Sequence, residues 1–505
     1  MKNTKTIWTA ILSALAVGYA LLRFRQLTDS CLWFDEIFGA HAAGLEWGGM
    51  LQLVARDLIH PPLFYALLKI WTALGGESLF WLRFFPVLFS LLALFAFYQF
   101  CKQLKLSSPA MAVAFVFFAA NGALIKYAQE VRMYALFLFL SIVSMWLFTR
   151  FLHLGKNIWL LTLCNVLLVY THYFGWFVPL AEIIVILVFQ RIKIRQVLIM
   201  FGLCLLAFTP WLYAVFRAAR LNSDIRQNVG WIARPDAAEV FQFAFDLIEP
   251  FYFQASSAAA GANYLIAVPL LLLTVAAMIF YLSRFNELSE TGKVNFWMLA
   301  IFIATPVFPA FVLSWILPVS IWGTRHLIMV FAPALVLTGA FFERIKPEIL
   351  RIVFVSVLLF LFALAFIAEL RRPPQDFIWC AWEDLAGAVE PDQPQKIYVF
   401  EDLVAYHFWF AVKNEPLIQV AKIEGVEGVA EDKAYFLPRG FDDVKKVGLD
   451  EIEEPRFFIA FRDAEFNTEK PPLKNLLKKG YQVGEPKTIE AQGMKAFLVE
   501  IRRGK

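Results

Sequence analysis

Charged side chains are scarce in this sequence. Asp, Glu, Lys and Arg make up only 17% of the 505 residues, whereas hydrophobic residues make up 60% and the mean hydropathy is +0.62. Soluble domains are about 45–50% apolar and about 25% charged, so this composition excludes one large water-soluble core. The protein is therefore predicted to be an integral membrane protein with helical spans.

Two other absences narrow the function. The net charge is only +4 and no dense basic patch is present, so nucleic acid is not expected as a partner. The Gly-Lys pairs at Gly155 and Gly292 are not followed by Ser or Thr, so no P-loop for ATP is complete. Asp463-Ala-Glu465 superficially resembles the acidic motif of nucleotide-sugar enzymes, but a polar turn after a strand is the simpler interpretation.

Cysteine is also sparse, with five residues scattered along the chain. Cys101, Cys164 and Cys204 fall in or beside apolar runs, which argues against a disulfide framework or a cysteine metal cluster. Only Cys31 and Cys380 could meet oxidising surroundings. Any disulfide would have to join these two, although the sequence gives no further sign of one.

Apolar runs of about 17 to 25 residues recur, and this length crosses a hydrocarbon core of about 30 Å. The first run, Ile7 to Leu22, follows two lysines as a signal peptide would, but it lacks a clear cleavage site, so an uncleaved first helix is preferred. The pattern predicts about eleven spans. They lie near residues 7–24, 79–101, 109–125, 132–152, 157–172, 174–190, 196–216, 263–283, 294–317, 325–343 and 352–370.

With the N-terminus inside, every inner loop contains Lys or Arg, as the positive-inside rule expects. An odd number of spans then places the C-terminal part outside. We predict a transmembrane domain over residues 1–370 and a small extracytoplasmic α/β domain over 371–505. In the latter, residues 396–400, 456–461 and 495–500 alternate as strands do, and helices are expected near 376–389, 403–413 and 472–479.

Two outer segments are too long for simple connectors. The first, residues 25–78, contains Asp35, Glu36 and His60-Pro-Pro, and is predicted to form helices lying in the membrane interface. The second, residues 217–262, contains Asn228-Val-Gly-Trp231 and an amphipathic candidate helix over 236–248. It could form a lid or an acceptor platform, or equally a passive loop.

Asp35 and Glu36 are adjacent carboxylates in apolar company. Such groups are costly unless hydrogen bonds, a cation or a catalytic duty retains them. A helix N-cap at Asp35 would explain that carboxylate equally well.

A second polar group is expected at the outer end of the third span. Lys126 and Glu130 share one helix face, so they could be an ordinary ion pair or part of a site that binds sugar hydroxyls. Arg132 would suit a phosphate, although snorkelling toward the lipid headgroups is the more economical interpretation.

Most of the histidines fall in the same predicted outer layer, namely His41, His60, His172 and His326. With Asp35 and Glu130 as carboxylate ligands, such a cluster could hold a divalent cation, whereas hydrogen bonds to headgroups or backbone are the alternative. Arg325 could likewise meet a phosphate or simply anchor the end of a helix.

Several short motifs in fixed order resemble one family. Trp33-Phe-Asp-Glu-Ile37, His60-Pro-Pro-Leu-Phe-Tyr65 and Gln129-Glu-Val-Arg-Met-Tyr134 resemble the protein mannosyltransferase superfamily and its bacterial relatives, including the lipid A aminoarabinose transferases. His172-Tyr-Phe-Gly175 and the segment at Arg325 fit as well.

The resemblance covers about residues 7–345. It implies a mainly α, GT-C fold, a polyprenyl-phosphate sugar donor and an active site on the outer face of a bacterial inner membrane. It also implies that Asp35 is the leading catalytic residue and that Glu130 is a second acid. Some relatives have Lys where this chain has His60.

The expected function is a membrane glycosyltransferase that moves a sugar from a polyprenyl-phosphate donor to a hydroxyl of a glycan, lipid or protein. Asp35 would be the general base, Glu36 would orient it or bind substrate, and Glu130 would hold sugar hydroxyls or a cation. A base opposite the leaving phosphate suggests inversion. The candidate substrate-binding residues are His60, Lys126, Arg132, Tyr134, His172, Tyr173, Arg325 and His326, of which His60, Arg132 and Arg325 could stabilise the leaving group.

Two other classes remain open at this point. A transporter or flippase for a lipid-linked or small anionic substrate would place its charges near mid-helix, often in repeated halves. A sensor or scaffold would need no carboxylate cavity. The transferase hypothesis expects Asp35 and Glu130 to face one outer cavity.

Overall fold

The computed structural model describes residues 2–221, 230–251, 260–372, 377–390, 393–429 and 435–504. Up to residue 370 these residues are almost entirely helical. The helices are α1 Lys2–Phe24, α2 Phe34–Gly44, α3 Trp47–Asp57, α4 Leu63–Gly75, α5 Leu79–Gln103, α6 Ser108–Ala120, α7 Gly122–Gln129, α8 Tyr134–Leu154, α9 Ile158–Thr171, α10 Phe177–Phe189, α11 Ile194–Leu221, α12 Ala237–Asp246, α13 Ala260–Ser283, α14 Glu290–Ile316, α15 Phe331–Glu343 and α16 Glu348–Leu370.

Every predicted span coincides with one of these helices, or with α6 and α7 together. Among the described residues, seven helices are long and apolar enough to cross a membrane, namely α1, α5, α8, α11, α13, α14 and α16. The other predicted spans correspond to the shorter apolar helices α6, α9, α10 and α15. The protein is thus a polytopic membrane protein, and the number of crossings stays a prediction.

The two long segments that were predicted to lie outside are helical where predicted. The first contains α2, α3 and α4, and the amphipathic candidate of the second is α12. Residues 222–229, which include Asn228, and residues 252–259 lie outside the described part of the chain. Whether α2 to α4 lie in the membrane interface stays a prediction.

The C-terminal part forms one mixed sheet. Its strands are β1 Gln395–Val399, β2 Ile418–Glu424, β3 Lys445–Gly448, β4 Arg456–Asp463, β5 Tyr481–Ala491 and β6 Met494–Arg503, accompanied by α17 Ala381–Ala386, α18 Asp402–Val412 and α19 Leu473–Lys478. The strand order is β3-β2-β1-β4-β6-β5. Strand β1 pairs in parallel with β2 and β4, whereas β6 runs antiparallel to β4 and β5. The predicted strands and helices of this α/β unit are therefore confirmed, while its boundary at residue 371 stays a prediction.

The C-terminal part packs against residues 25–78, the first of these two segments. A disulfide joins Cys31 to Cys380, the cysteine pair that the sequence singled out. Helix α2 contacts α18, where the ring of Phe34 lies 5.1 Å from that of Tyr406 and His41 Nδ1 lies 2.9 Å from the same tyrosine hydroxyl. His41 therefore takes part in the packing of α2 against α18.

A buried ion pair connects α2 to α5. Arg83 Nη2 lies 3.1 Å from Glu36 Oε2, and both side chains are almost fully buried. The same guanidinium donates to the carbonyls of Leu27, Ser30 and Cys31 at 2.7–2.9 Å. One side chain therefore holds the loop between α1 and α2 in place.

Replacing Arg83 with Met should destabilise the protein by about 3–5 kcal/mol, because the Glu36 carboxylate would stay buried without its cation. Thermal unfolding of the purified protein in detergent measures this loss. The double variant Arg83→Met/Glu36→Gln is the matched control and should recover part of the stability. Equal melting temperatures for wild type and Arg83→Met would contradict the assignment.

Candidate active site

Asp35 and Glu36 point in different directions from the start of α2. Trp33 precedes the helix, and its backbone N–H donates to Glu36 Oε2 at 3.0 Å. The cap is thus closed by Glu36, and the interpretation of Asp35 as the N-cap is wrong because Asp35 lies inside the first turn. The N–H of Val131 also donates to Glu36 at 2.8 Å. With Arg83 beside it, the Glu36 carboxylate is fully engaged, which favours a positioning role over direct catalysis.

The Asp35 carboxylate is 31% exposed and lines a cavity of about 170 Å³. Arg132 Nη2 lies 3.7 Å from Asp35 Oδ2, and Arg325 Nη1 lies 3.9 Å from the same oxygen. Arg132 also donates to the backbone carbonyl of Asp35 at 3.1 Å. These ion-pair distances exceed those of hydrogen bonds, so both cations remain able to bind a ligand.

Arg132 and Arg325 reach Asp35 from separate connections. Arg132 lies between α7 and α8, and Arg325 lies in the turn before α15 rather than in a helix. Snorkelling is wrong for Arg132, since its side chain is only 5% exposed and points toward Asp35. Burial of the guanidinium is tolerable because carboxylate and carbonyl oxygens surround it.

Three histidines lie close together behind the carboxylate. The ring of His172 lies 5.3 Å from that of His60 and 5.6 Å from that of His326, and all three are buried. His60 Nδ1 faces Arg132 Nη2 at 3.5 Å, so this nitrogen is the acceptor and Nε2 carries the proton. Burial and the nearby Arg132 hold the pKa of His60 well below its usual value. His60 is therefore neutral at physiological pH.

Glu130 lines a second, larger cavity of about 940 Å³. Its carboxylate lies 3.7 Å from Lys126 Nζ, so the predicted ion pair is present. Burial raises the pKa of Glu130, and Lys126 opposes that effect.

The expectation that Asp35 and Glu130 face one cavity is not met. They line two adjoining cavities that share a wall formed by Trp33, Trp231, Arg325 and Tyr435.

A divalent cation finds little support in this arrangement. Asp35 is already neutralised by two guanidinium groups, and Glu130 by Lys126. Among the described residues no group of three His, Cys, Asp or Glu side chains could hold a metal ion. A metal ion bound by Asp35 and Glu130 was predicted from the sequence, and it stays a prediction.

The remaining predicted residues divide between the cavities and their surroundings. His60, Arg132, Tyr134 and His326 line the smaller cavity, and Lys126 and Glu36 line the larger one. His172 and Tyr173 are not among the lining residues. His172 stacks on Phe137 with ring centroids 4.9 Å apart, and the Tyr173 hydroxyl accepts a hydrogen bond from Trp211 at 3.2 Å.

The smaller cavity is completed by residues that were not predicted from the sequence. Asp57 ends α3, and residues 435–439 of the C-terminal part form one side of the cavity. Arg439 Nη1 donates to the carbonyls of Arg56 and Asp57 at 2.8 and 3.1 Å. Asp57 could have been noticed, since it is three residues before His60-Pro-Pro. Nothing in the local sequence marks Arg439.

The helical membrane part followed by the C-terminal sheet gives a GT-C-like fold, as the resemblance implied. The chain is similar over 98% of its length to 98% of ArnT from Cupriavidus metallidurans bound to undecaprenyl phosphate, with 11% sequence identity and a TM-score of 0.57. The apo state of the same ArnT gives 10% identity, the same coverage and a TM-score of 0.55. No family model and no curated protein sequence matches the chain.

Burial raises the pKa of Asp57 to about 6, with Arg132 opposing the rise and Asp35 adding to it. Because an unfolded chain has a lower pKa of about 3.9, folding favours the protonated form, and this contribution to stability declines as pH rises from about 4 to 6. Asp57→Asn should remove this decline. Its melting temperature relative to wild type should therefore increase from pH 4 to pH 6 and then level off. A difference that does not change with pH would contradict this prediction.

Proposed function

We propose that the protein is a membrane glycosyltransferase that moves a sugar from a polyprenyl-phosphate donor to an acceptor hydroxyl on the extracytoplasmic face. The observation that carries the proposal is the partly exposed Asp35 carboxylate held between Arg132 and Arg325 in a cavity. The similarity in fold to an ArnT bound to undecaprenyl phosphate supports this class of donor.

The charges of the smaller cavity fit a phosphate. Arg132, Arg325 and Arg439 contribute three positive charges to its wall, against two carboxylates from Asp35 and Asp57. Planar guanidinium groups bind phosphate through paired hydrogen bonds, and they do so more strongly where water is excluded. The donor phosphate would therefore lie beside Arg132 and Arg325.

The reaction follows from this placement. The acceptor oxygen attacks the anomeric carbon while its proton passes to the Asp35 carboxylate. The bond between the anomeric carbon and the phosphate oxygen breaks, and its electron pair leaves with the polyprenyl phosphate. Arg132 and Arg325 stabilise the growing charge on that oxygen, and neutral His60 can add an Nε2–H donor. Attack opposite the leaving group inverts the anomeric carbon.

Glu36 and Glu130 take different parts in this scheme. Glu36 positions α2, and thereby Asp35, through its bonds to Arg83, Trp33 and Val131. Glu130 would accept hydrogen bonds from sugar hydroxyls in the larger cavity. Since the metal expected from the sequence finds little support in the donor groups, no step is assigned to it.

The disulfide supports the proposed location. Bonds such as Cys31–Cys380 persist in oxidising compartments and are rare in the cytosol. The loop of Asp35 and the C-terminal sheet would therefore both lie outside the cytoplasm, as the distribution of basic residues also predicts. The resemblance further points to a bacterial inner membrane.

The transporter alternative gains less support. Glu182 is a buried carboxylate at mid-helix, the position expected for a transport pathway. Ser144 and Asn165 hydrogen-bond to it at 2.8 Å from α8 and α9, and it lines neither of the two cavities. It therefore acts as a polar link between three helices.

Replacing Asp35 with Asn should reduce transfer about 10²- to 10⁴-fold, because the amide cannot accept the acceptor proton. Transfer of radiolabelled sugar from polyprenyl phosphate in membranes gives the measurement. Asp443→Asn, at an exposed position in the C-terminal part, is the matched control and should retain activity. Near-normal transfer by Asp35→Asn at normal expression would remove Asp35 as the base.

Replacing Arg325 with Gln should raise the donor KM and lower kcat, with a combined loss of about 10- to 150-fold in kcat/KM, the value of one charged hydrogen bond. Steady-state kinetics with varied donor concentration test this expectation. Arg325→Lys should recover part of the activity because it restores the charge without the planar pair of donors. An unchanged donor KM with normal kcat would exclude Arg325 from phosphate binding.

A further inference from the structure

The larger cavity combines aromatic side chains from distant parts of the chain. Trp231, from the segment before α12, is 50% exposed despite its size. Phe377 and Trp379, from the C-terminal part, stack on each other with ring centroids 4.3 Å apart. Exposed aromatic rings at a cavity offer flat apolar surfaces, which suit the C–H faces of a ligand as well as its polar edges.

One face of α12 supplies polar groups to the same cavity. Glu239, Gln242 and Asp246 follow each other at helical spacing and all line it. Gln242 Nε2 donates to Asp246 Oδ1 at 2.8 Å, and the Thr324 hydroxyl donates to the other oxygen. Amide, carboxylate and hydroxyl groups thus lie side by side, providing both donors and acceptors.

The charges of this cavity disfavour an anionic ligand. Among the described residues four cations line it. Arg83 is paired with Glu36, Lys126 with Glu130 and Arg372 with Glu369, while Arg325 lies beside Asp35 of the smaller cavity and is assigned to the donor phosphate. Among the described residues no salt bridge reaches Glu239 or Asp246, which add negative charge. Burial also raises the pKa of Asp246 to about 6, an effect that its hydrogen bonds oppose.

We propose that the larger cavity binds the acceptor, and that the acceptor is a carbohydrate without phosphate or carboxylate groups. Its sugar rings would stack on Trp231 and Trp379, and its hydroxyls would bond to Gln242 and Asp246. This inference rests on the proposed function and goes beyond it by naming the acceptor class. The two cavities adjoin at the four residues that they share, so an acceptor in the larger cavity would lie next to the donor phosphate in the smaller one.

The disulfide contributes to this site. Cys31 lines the larger cavity, and its partner Cys380 directly follows Trp379. The bond therefore holds the Phe377–Trp379 pair at the cavity, although these rings belong to a part of the chain distant from the first loop.

The test begins with the product. The purified protein is incubated with a panel of radiolabelled polyprenyl-phosphate sugars and a cell-envelope extract, and the labelled product is subjected to methylation linkage analysis. The expected result is a label on a carbohydrate hydroxyl that resists mild acid and alkaline β-elimination. A label on a phosphate, a lipid hydroxyl or an amino-acid side chain would overturn the inference.

The second measurement locates the acceptor. Trp379→Ala should raise the KM for the acceptor fraction about tenfold with less than a twofold change in kcat, and Trp379→Phe should recover most of the affinity. Trp297→Ala is the matched control, since it removes a tryptophan that lines neither cavity. An increase in donor KM instead of acceptor KM would overturn the assignment of the cavity. If the wild-type protein transfers no sugar from the panel, the proposed function itself fails, and this inference fails with it.

Discussion

The buried ion pair between Arg83 and Glu36 fixes the position of Asp35 at the start of α2. A guanidinium inside a protein needs oxygen atoms around it, and Arg83 finds them in Glu36 and in the loop that precedes α2. Glu36 in turn accepts the N–H of Val131, one residue before Arg132. This contact brings α2 against the link between α7 and α8. Because consecutive helical residues differ by about 100° in direction, Asp35 then faces the cavity and Arg132.

The helices and strands could be predicted from the sequence because their residue patterns depend on neighbouring residues alone. Apolar runs of spanning length marked the helices, and alternating residues marked β1, β4 and β6, since burial against lipid or a sheet face imposes these periods. The spacing of Lys126 and Glu130 also predicted their ion pair. Two local interpretations were wrong because tertiary contacts decided them: Glu36 rather than Asp35 closes the helix cap, and Arg132 points inward because Asp35 lies within its reach.

The rest of the site depends on contacts between residues far apart in sequence. Arg439 hydrogen-bonds to the end of α3, more than three hundred residues away in sequence. No periodic pattern in the sequence predicts such a contact. Trp379 lines the larger cavity beside the disulfide. The sequence indicated which two cysteines could pair, but it did not place Trp379 at a cavity. The division into two cavities was also beyond prediction. The motifs predicted that Asp35 and Glu130 lie on the same side of the membrane. The wall between their cavities depends on the packing of Trp231 and Tyr435.

The wall between the two cavities contains one charged side chain, that of Arg325. Arg325 belongs to both cavities, and its guanidinium lies 5.1 Å from the ring centre of Trp231 and 3.9 Å from the Asp35 carboxylate. Neither contact is a close hydrogen bond, so a phosphate can compete for this side chain. If Arg325 turned toward a donor phosphate, Arg132 would stay beside the Asp35 carboxylate and the space that Arg325 leaves would be open. An acceptor hydroxyl in the larger cavity reaches Asp35 only past this wall. In the proposed scheme, donor binding would therefore clear the approach to Asp35 at the place where the acceptor arrives.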